Sequence, residues 1–101
     1  MISVLASISV KPGCREKFLA IFKANVPAVK AENGCVEYTP AIDIPTGLPP
    51  QTLDADLVTI IEKWSSLDAL RAHLAAPHMA TYREKVKDLV QGVTLKVLQD
   101  A

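Results

Sequence analysis

Two histidines, one tryptophan, two tyrosines and a carboxylate inside an apolar run are the residues of this 101-residue chain with chemistry to offer. His73 and His78 carry the side chains whose ordinary pKa lies nearest neutrality, so either could move a proton or bind a metal. With Glu62 they would supply the ligands of a two-histidine, one-carboxylate iron site. Their spacing argues against that: they are five residues apart with Pro77 between them and do not share one helical face. For His73 an acid–base or hydrogen-bonding role competes with a structural one, a buried ring satisfied by a backbone carbonyl. Glu62 shares strand parity with Val58, Ile60 and Trp64. A carboxylate on a parity that otherwise reads as buried is paired, protonated or lining a cavity. Pairing with Arg71, Arg83 or a lysine is the plain alternative, and a raised pKa with a role as base is the sharper one. Trp64 reads as core or as cavity wall. Tyr38 and Tyr82 have polar tips that need partners when buried, and His78 and Tyr82 are four apart, hence neighbours on a helix. Asn25 lies on an apolar stripe, its amide either serving carbonyls freed by Pro27 or facing a pocket as a donor.

The elements that must position these groups follow from periodicity. Ile2 to Val10 alternates, with Ile2, Val4, Ala6, Ile8 and Val10 on one side, and reads as a strand ended by Lys11-Pro12-Gly13. From Cys14 the period changes: Phe18, Ile21, Phe22, Val26 and Val29 form one stripe of a long helix, with Pro27 expected to kink it. Asn33-Gly34 suits its C-terminal turn. A second strand runs from Cys35 to about Ile42, with Val36, Tyr38 and Ile42 on one parity. Asp43 to Asp56, with three prolines and a glycine, reads as a long loop, either a lid or a plain surface excursion. Leu57 to Trp64 is a third strand. Ser65-Ser66-Leu67-Asp68 has capping-box spacing and opens a short helix through Leu70 and Leu74. Pro77 starts a further helix, predicted to run through Met79, Tyr82, Val86, Leu89 and Val90, and Val93 to Leu98 is the last strand.

This order is the split βαβ, ferredoxin-like arrangement: an α+β fold with four antiparallel strands and helices on one face, as a single domain over residues 1–101. Leu5, Leu57, Ile61 and Leu98 fall on the parity facing away from the helices. A half-apolar open face on so small a domain predicts a homodimer built sheet to sheet.

Composition narrows the function classes. Eleven basic and eleven acidic residues give a net charge of zero, which provides no footprint for nucleic acid or an anionic membrane. No apolar run is long enough to span a bilayer. Met1 to Leu5 lacks the features of a signal peptide, and Cys14 and Cys35 have no zinc or CxxC spacing, so a cytoplasmic location with reduced thiols is expected. There is no glycine-rich phosphate loop, GxSxG or HExxH motif.

Four stretches carry a resemblance. Lys11-Pro12-Gly13, Glu32-Asn33-Gly34-Cys35 with Tyr38 and Pro40, Ile61-Glu62-Lys63-Trp64-Ser65-Ser66, and Ala72-His73-Leu74-Ala75-Ala76-Pro77-His78-Met79 are similar to the antibiotic biosynthesis monooxygenase family, in particular its bacterial quinol monooxygenases. The resemblance covers nearly the whole chain. It implies a dimeric α+β barrel with one pocket per subunit, between sheet and helices. It also implies oxidation of a quinol or similar electron-rich phenol by O2, with no metal, haem or flavin cofactor. A deprotonated quinol can reduce O2 directly, so the protein has only to supply an apolar pocket, a base or hydrogen bond for the hydroxyl, and shielding from water.

On that reading the catalytic set is His73 or Glu62 handling the hydroxyl proton, with Trp64 and Tyr38 lining the pocket. Substrate-binding residues are Asn25, His78, Tyr82 and Met79, with His78 and Tyr82 closing the mouth and the Asp43–Asp56 loop as a lid. The haem-degrading branch of the family has an Asn on the first strand and a haem-ligating His in the last helix. Here the first strand has Ser3, Ser7 and Ser9, and the last helix has only His78 in its opening turn, so haem degradation is not expected. Zero net charge suits a neutral aromatic substrate. A binding protein without catalysis is one alternative, and an isomerase of a small phosphorylated metabolite is another. The latter needs a basic pair in the pocket, which is not evident in the sequence.

Overall fold

The structure is a computed structural model describing residues Met1–Ala101. Four strands, β1 (Ile2–Val10), β2 (Cys35–Ala41), β3 (Leu57–Trp64) and β4 (Val90–Leu98), form one antiparallel sheet in the order β2-β3-β1-β4. Three helices, α1 (Arg15–Lys30), α2 (Leu67–Leu74) and α3 (Pro77–Val86), lie on one face. This is the expected ferredoxin-like α+β architecture.

Cross-strand pairs share a face of a sheet, so register determines which side chains meet the helices. Val4 lies opposite Glu62, Ala6 opposite Ile60 and Ile8 opposite Val58, and Tyr38 continues the Glu62 row onto β2. That face, with Phe18 and Phe22 of α1 and Leu70 of α2, makes the core. Burying each such large side chain contributes roughly 1.5–3 kcal/mol. The helices sit over β2 and β3, and little covers β4. Val93, Leu95 and Val97 share the helix-side face with Ile8, Ala6 and Val4, yet stay exposed. On the opposite face Leu5, Ile61 and Leu98 are exposed, and Leu5 pairs directly with Ile61.

Four expectations are corrected. The last helix ends at Val86 rather than running through Leu89 and Val90, and β4 begins at Val90 rather than Val93. Leu89 and Val90 continue the apolar spacing of a helix, but the Leu89 carbonyl accepts from Lys11 N at 2.8 Å and Val90 pairs with Val10. Pairing across the sheet therefore replaces the next helical turn. In β2 the register shifts between Cys35 and Glu37, which leaves Val36 as the extra residue of a bulge, 55% exposed and out of parity with buried Tyr38. The cap of α2 is Ser66, whose Oγ accepts from Ala69 N at 3.1 Å, so the third helical position is Ala69 and the reciprocal half of a capping box is not made.

One glycine is fixed by both conformation and space. Gly34, between α1 and β2, has φ +86°, and its carbonyl accepts from Ser65 N at 2.8 Å. A Cβ there would lie 2.5 Å from Ser65 Oγ and 2.7 Å from the Ala69 Cβ. The turn is thus pressed against the start of α2, which sets where Glu32 lies relative to that helix. Gly34→Ala is expected to cost about 2 kcal/mol or more, measured by urea unfolding. Gly47→Ala, at φ +75° with open space around it, should cost about 1 kcal/mol. Equal losses would show that the close approach at Gly34 carries no energy.

Candidate active site

Between the helices and the sheet lies a cavity of about 360 Å³ with twelve of its sixteen lining residues apolar. The other four are Glu62 from the sheet, His73 from α2, Arg83 from α3 and Lys87 just after it, and two of the twelve, Tyr38 and Tyr82, add phenolic hydroxyls. The side toward β4 is formed by Val90, Val93 and Leu95.

His73 is 2% exposed and is held from three directions. Trp64 lies against its ring at a centroid distance of 4.6 Å, and Tyr38 meets it edge-on at 5.4 Å. Its Nδ1 is 2.8 Å from Glu32 Oε2. A carboxylate only accepts, so Nδ1 carries the proton and, in the neutral ring, Nε2 holds the lone pair. Burial pushes the His73 pKa below its ordinary value, with the Glu32 hydrogen bond and charge opposing and the His78 and Arg83 charges assisting. The result is a neutral imidazole with a defined tautomer on the wall of an apolar cavity, the arrangement of a general base.

Glu62 is 5% exposed, and its Oε1 accepts from Trp64 Nε1 at 2.9 Å. Burial raises its pKa, the Trp64 hydrogen bond opposes the rise, and the charge of Glu32 adds to it. The expected pairing with Arg71, Arg83 or a lysine is not made: Arg71 lies 3.5 Å from Asp68, and Arg83 Nη2 donates to Leu74 O at 2.7 Å. Tyr38 is raised far above the usual phenol range by burial first and the Glu62 charge second, and Tyr82 is raised by burial. Both phenols stay protonated and serve as donors, not bases. Phe22 stacks on Tyr38 at 5.3 Å and meets Tyr82 edge-on at 5.7 Å, which fixes both rings.

The residues singled out in the sequence separate into three groups. Glu62, His73, Tyr38, Tyr82 and Met79 line the cavity. Trp64, fully buried, stands behind Glu62 and His73 and does not line it. Asn25 and His78 line a separate hollow between α1 and α3, and none of residues 43–56 reaches the cavity. The Asn25 amide does not serve carbonyls of its own helix: Nδ2 donates to His78 Nδ1 at 3.2 Å and to Met79 Sδ at 3.5 Å. His78 Nε2 lies 3.3 Å from Glu32 Oε2, outside hydrogen-bond geometry and with no other partner.

Glu32 is the main residue missing from the expected site. It follows the end of α1, where the helix dipole disfavours a negative charge, and an acid there needs compensation from elsewhere. The hydrogen bond from His73 Nδ1 provides part of it. Arg83 and Lys87, also on the cavity lining, form a basic pair that was not expected. Despite the histidines and carboxylates, no group of three such side chains is arranged to hold a metal ion.

Residues 1–85 match the family described as antibiotic biosynthesis monooxygenase. The chain belongs to that family. It is 39% identical over 101 residues to the Escherichia coli (strain K12) protein named probable quinol monooxygenase YgiN, spanning 98% of this chain and 97% of that protein. Among solved structures, PA3566 from Pseudomonas aeruginosa is similar with a TM-score of 0.82 at 26% identity, covering 99% of this chain and 93% of that one. Rv0793 from Mycobacterium tuberculosis gives 0.81 at 26% identity, covering 99% and 94%. Membership in a monooxygenase family agrees with a cavity that pairs an apolar lining with a positioned base.

Glu32→Gln leaves a hydrogen-bond acceptor beside His73 but removes the charge. The His73 pKa, already below 6.5, is expected to fall further, read from the ring resonances in an NMR pH titration. A rise would contradict the assigned contact. The sign for stability follows from the same shift. A depressed histidine pKa contributes stability that is present above about 6.5 and lost as pH falls toward the folded-state value.

Proposed function

We propose that the protein is a cytoplasmic, homodimeric monooxygenase that oxidises a quinol or similarly electron-rich phenol with O2 and no bound cofactor. The observation that carries this reading is His73, tied at Nδ1 to Glu32, with its ring on an apolar cavity. His73 Nε2 takes the substrate hydroxyl proton, and burial keeps the imidazole free to accept it. The phenolate that results is a stronger reductant than the phenol and passes electrons to O2 in a space from which water is largely excluded. For a quinol with a free ring position the balance is quinol plus O2 giving hydroxyquinone plus water. One oxygen atom enters the ring and the other leaves as water, with the quinol as the source of all the electrons.

The remaining residues have roles that suit this chemistry. Glu62, with its pKa raised by burial, is a second proton acceptor or a hydrogen-bond partner for the other hydroxyl. Tyr38 and Tyr82 donate to developing negative charge on oxygen. Met79 packs on the ring. Trp64 positions Glu62, while Asn25 and His78 act from outside the cavity by holding Met79 and flanking Glu32. The similarity to a protein named for quinol oxidation supports the substrate class. Homodimerisation is supported by Leu5, Ile61 and Leu98 on the open sheet face, and the cytoplasm by two free cysteines.

Oxygen uptake with reduced 1,4-naphthoquinones in the presence of a chelator is expected to exceed autoxidation. His73→Gln should lower kcat by about 10²–10⁴-fold, the usual contribution of a general base. Uptake no faster than autoxidation would refute the reading. Light scattering on the purified chain should give the mass of a dimer, and Ile61→Asp should shift it to that of a monomer. A monodisperse wild-type monomer would refute the dimer.

A further inference from the structure

The cavity wall is apolar apart from two kinds of polar group. Glu62, His73, Tyr38 and Tyr82 are buried, whereas Arg83 and Lys87 are exposed and mark the solvent side of the lining. Arg83 on α3 and Lys87, its C-cap in helical backbone conformation, are one turn apart, so both project along the same side of that helix. Across from them Val93 and Leu95 stand uncovered on β4.

Arg83 is the distinctive member of the pair. No carboxylate lies within ion-pair distance of it, and its one hydrogen bond is Nη2 to the Leu74 carbonyl, the last residue of α2, at 2.7 Å. A guanidinium has five N–H donors, so most of its donor fork is uncommitted. The bond to Leu74 also holds the group in place, which lowers the entropy lost when an anion binds. Its charge is felt inside the site, since it acts on both His73 and Tyr82. Lys87 adds a second cation, partly neutralised by Glu84 at 2.5 Å.

We propose that the cavity selects an anionic aromatic: a phenol or quinol whose ring fills the apolar interior and whose carboxylate is bound at the opening by Arg83, with Lys87 assisting. The inference rests on reading this cavity as the substrate site, and it names the substrate class. Net charge is zero over the whole chain, but what a ligand meets at the opening is local, a fixed guanidinium beside apolar walls. A small phosphorylated metabolite would find the cations and would leave the apolar interior unfilled. A neutral quinol would fill the interior and leave Arg83 without an anionic partner.

The test separates anion from ring. Calorimetric titration of the purified chain compares 1-hydroxy-2-naphthoate with its neutral carboxamide, two phenols of similar shape that need no turnover. The acid is expected to bind about tenfold more tightly at low salt, the effect of one charge-assisted contact, and the difference should shrink as salt is added. Arg83→Gln, which keeps an amide donor for Leu74, should abolish the difference by weakening the acid. Lys87→Gln should reduce it about two- to threefold, and serves if loss of the Arg83 contact disturbs α2. Equal affinity for acid and amide in the wild type, or a difference that survives in Arg83→Gln, would overturn the proposal. So would glyceraldehyde 3-phosphate displacing the acid at lower concentration than the acid itself requires. The two readings fail separately. Acid selectivity lost in Arg83→Gln without oxygen uptake from 1,4-dihydroxy-2-naphthoate keeps the anion site and removes the oxygenase. Uptake from neutral quinols without acid selectivity does the reverse.

Discussion

The short contact between Glu32 and His73 is the constraint on which the rest of the site depends. An imidazole almost fully removed from water must have its N–H satisfied, because an unpartnered buried donor costs about 1–3 kcal/mol. Satisfying it with a carboxylate determines the tautomer and therefore which nitrogen can act as a base. That carboxylate comes from the far end of α1, forty-one residues earlier. It arrives only because the α1–β2 turn is seated against the start of α2, with Gly34 in a positive-φ conformation and no room for a side chain. The turn, the pairing of β2 and the position of α2 are thus all conditions for one hydrogen bond.

Around that bond two carboxylates occupy different environments. Glu32 accepts from His73 and has a second imidazole close by. Glu62 accepts one hydrogen bond, from the Trp64 indole N–H, and burial raises its pKa. The charge of Glu32 adds to that rise. The tyrosines of the cavity stay protonated. Such a site has one imidazole of defined geometry, one carboxyl whose pKa burial raises, and phenolic donors. The aromatic stack of Phe22, Tyr38 and Tyr82 keeps these groups rigid, so little reorganisation is needed when a ligand arrives.

Much of this was legible in the sequence because it rests on local rules. Alternation in Ile2–Val10 and the stripe from Phe18 to Val29 determine which faces are buried, whatever the fold does elsewhere. Glu62 on a buried parity announced a carboxylate in the interior. What misled was spacing that two structures satisfy equally: Leu89 and Val90 fit a helical stripe, yet they serve a strand whose partner is eighty residues away. Val36 misled because a bulge is a property of the paired strands, not of β2 alone. The alternative in which the Asn25 amide serves carbonyls of its own helix fails for a similar reason, since its partners, His78 and Met79, belong to α3.

By itself the sequence determined the element order, the buried parities, the zero net charge and the identity of the groups with chemistry to offer. All of these follow from residue type and short-range period. Tertiary structure alone decided that Glu32 meets His73, that Trp64 stands behind the cavity instead of on it, and that Asn25 and His78 lie outside. It also decided that a chain of zero net charge presents two cations at the opening of its cavity. Net charge is a sum that does not depend on position. Potential at a site does, and so does the state of a buried proton, because both fall off with distance and depend on how much water is nearby.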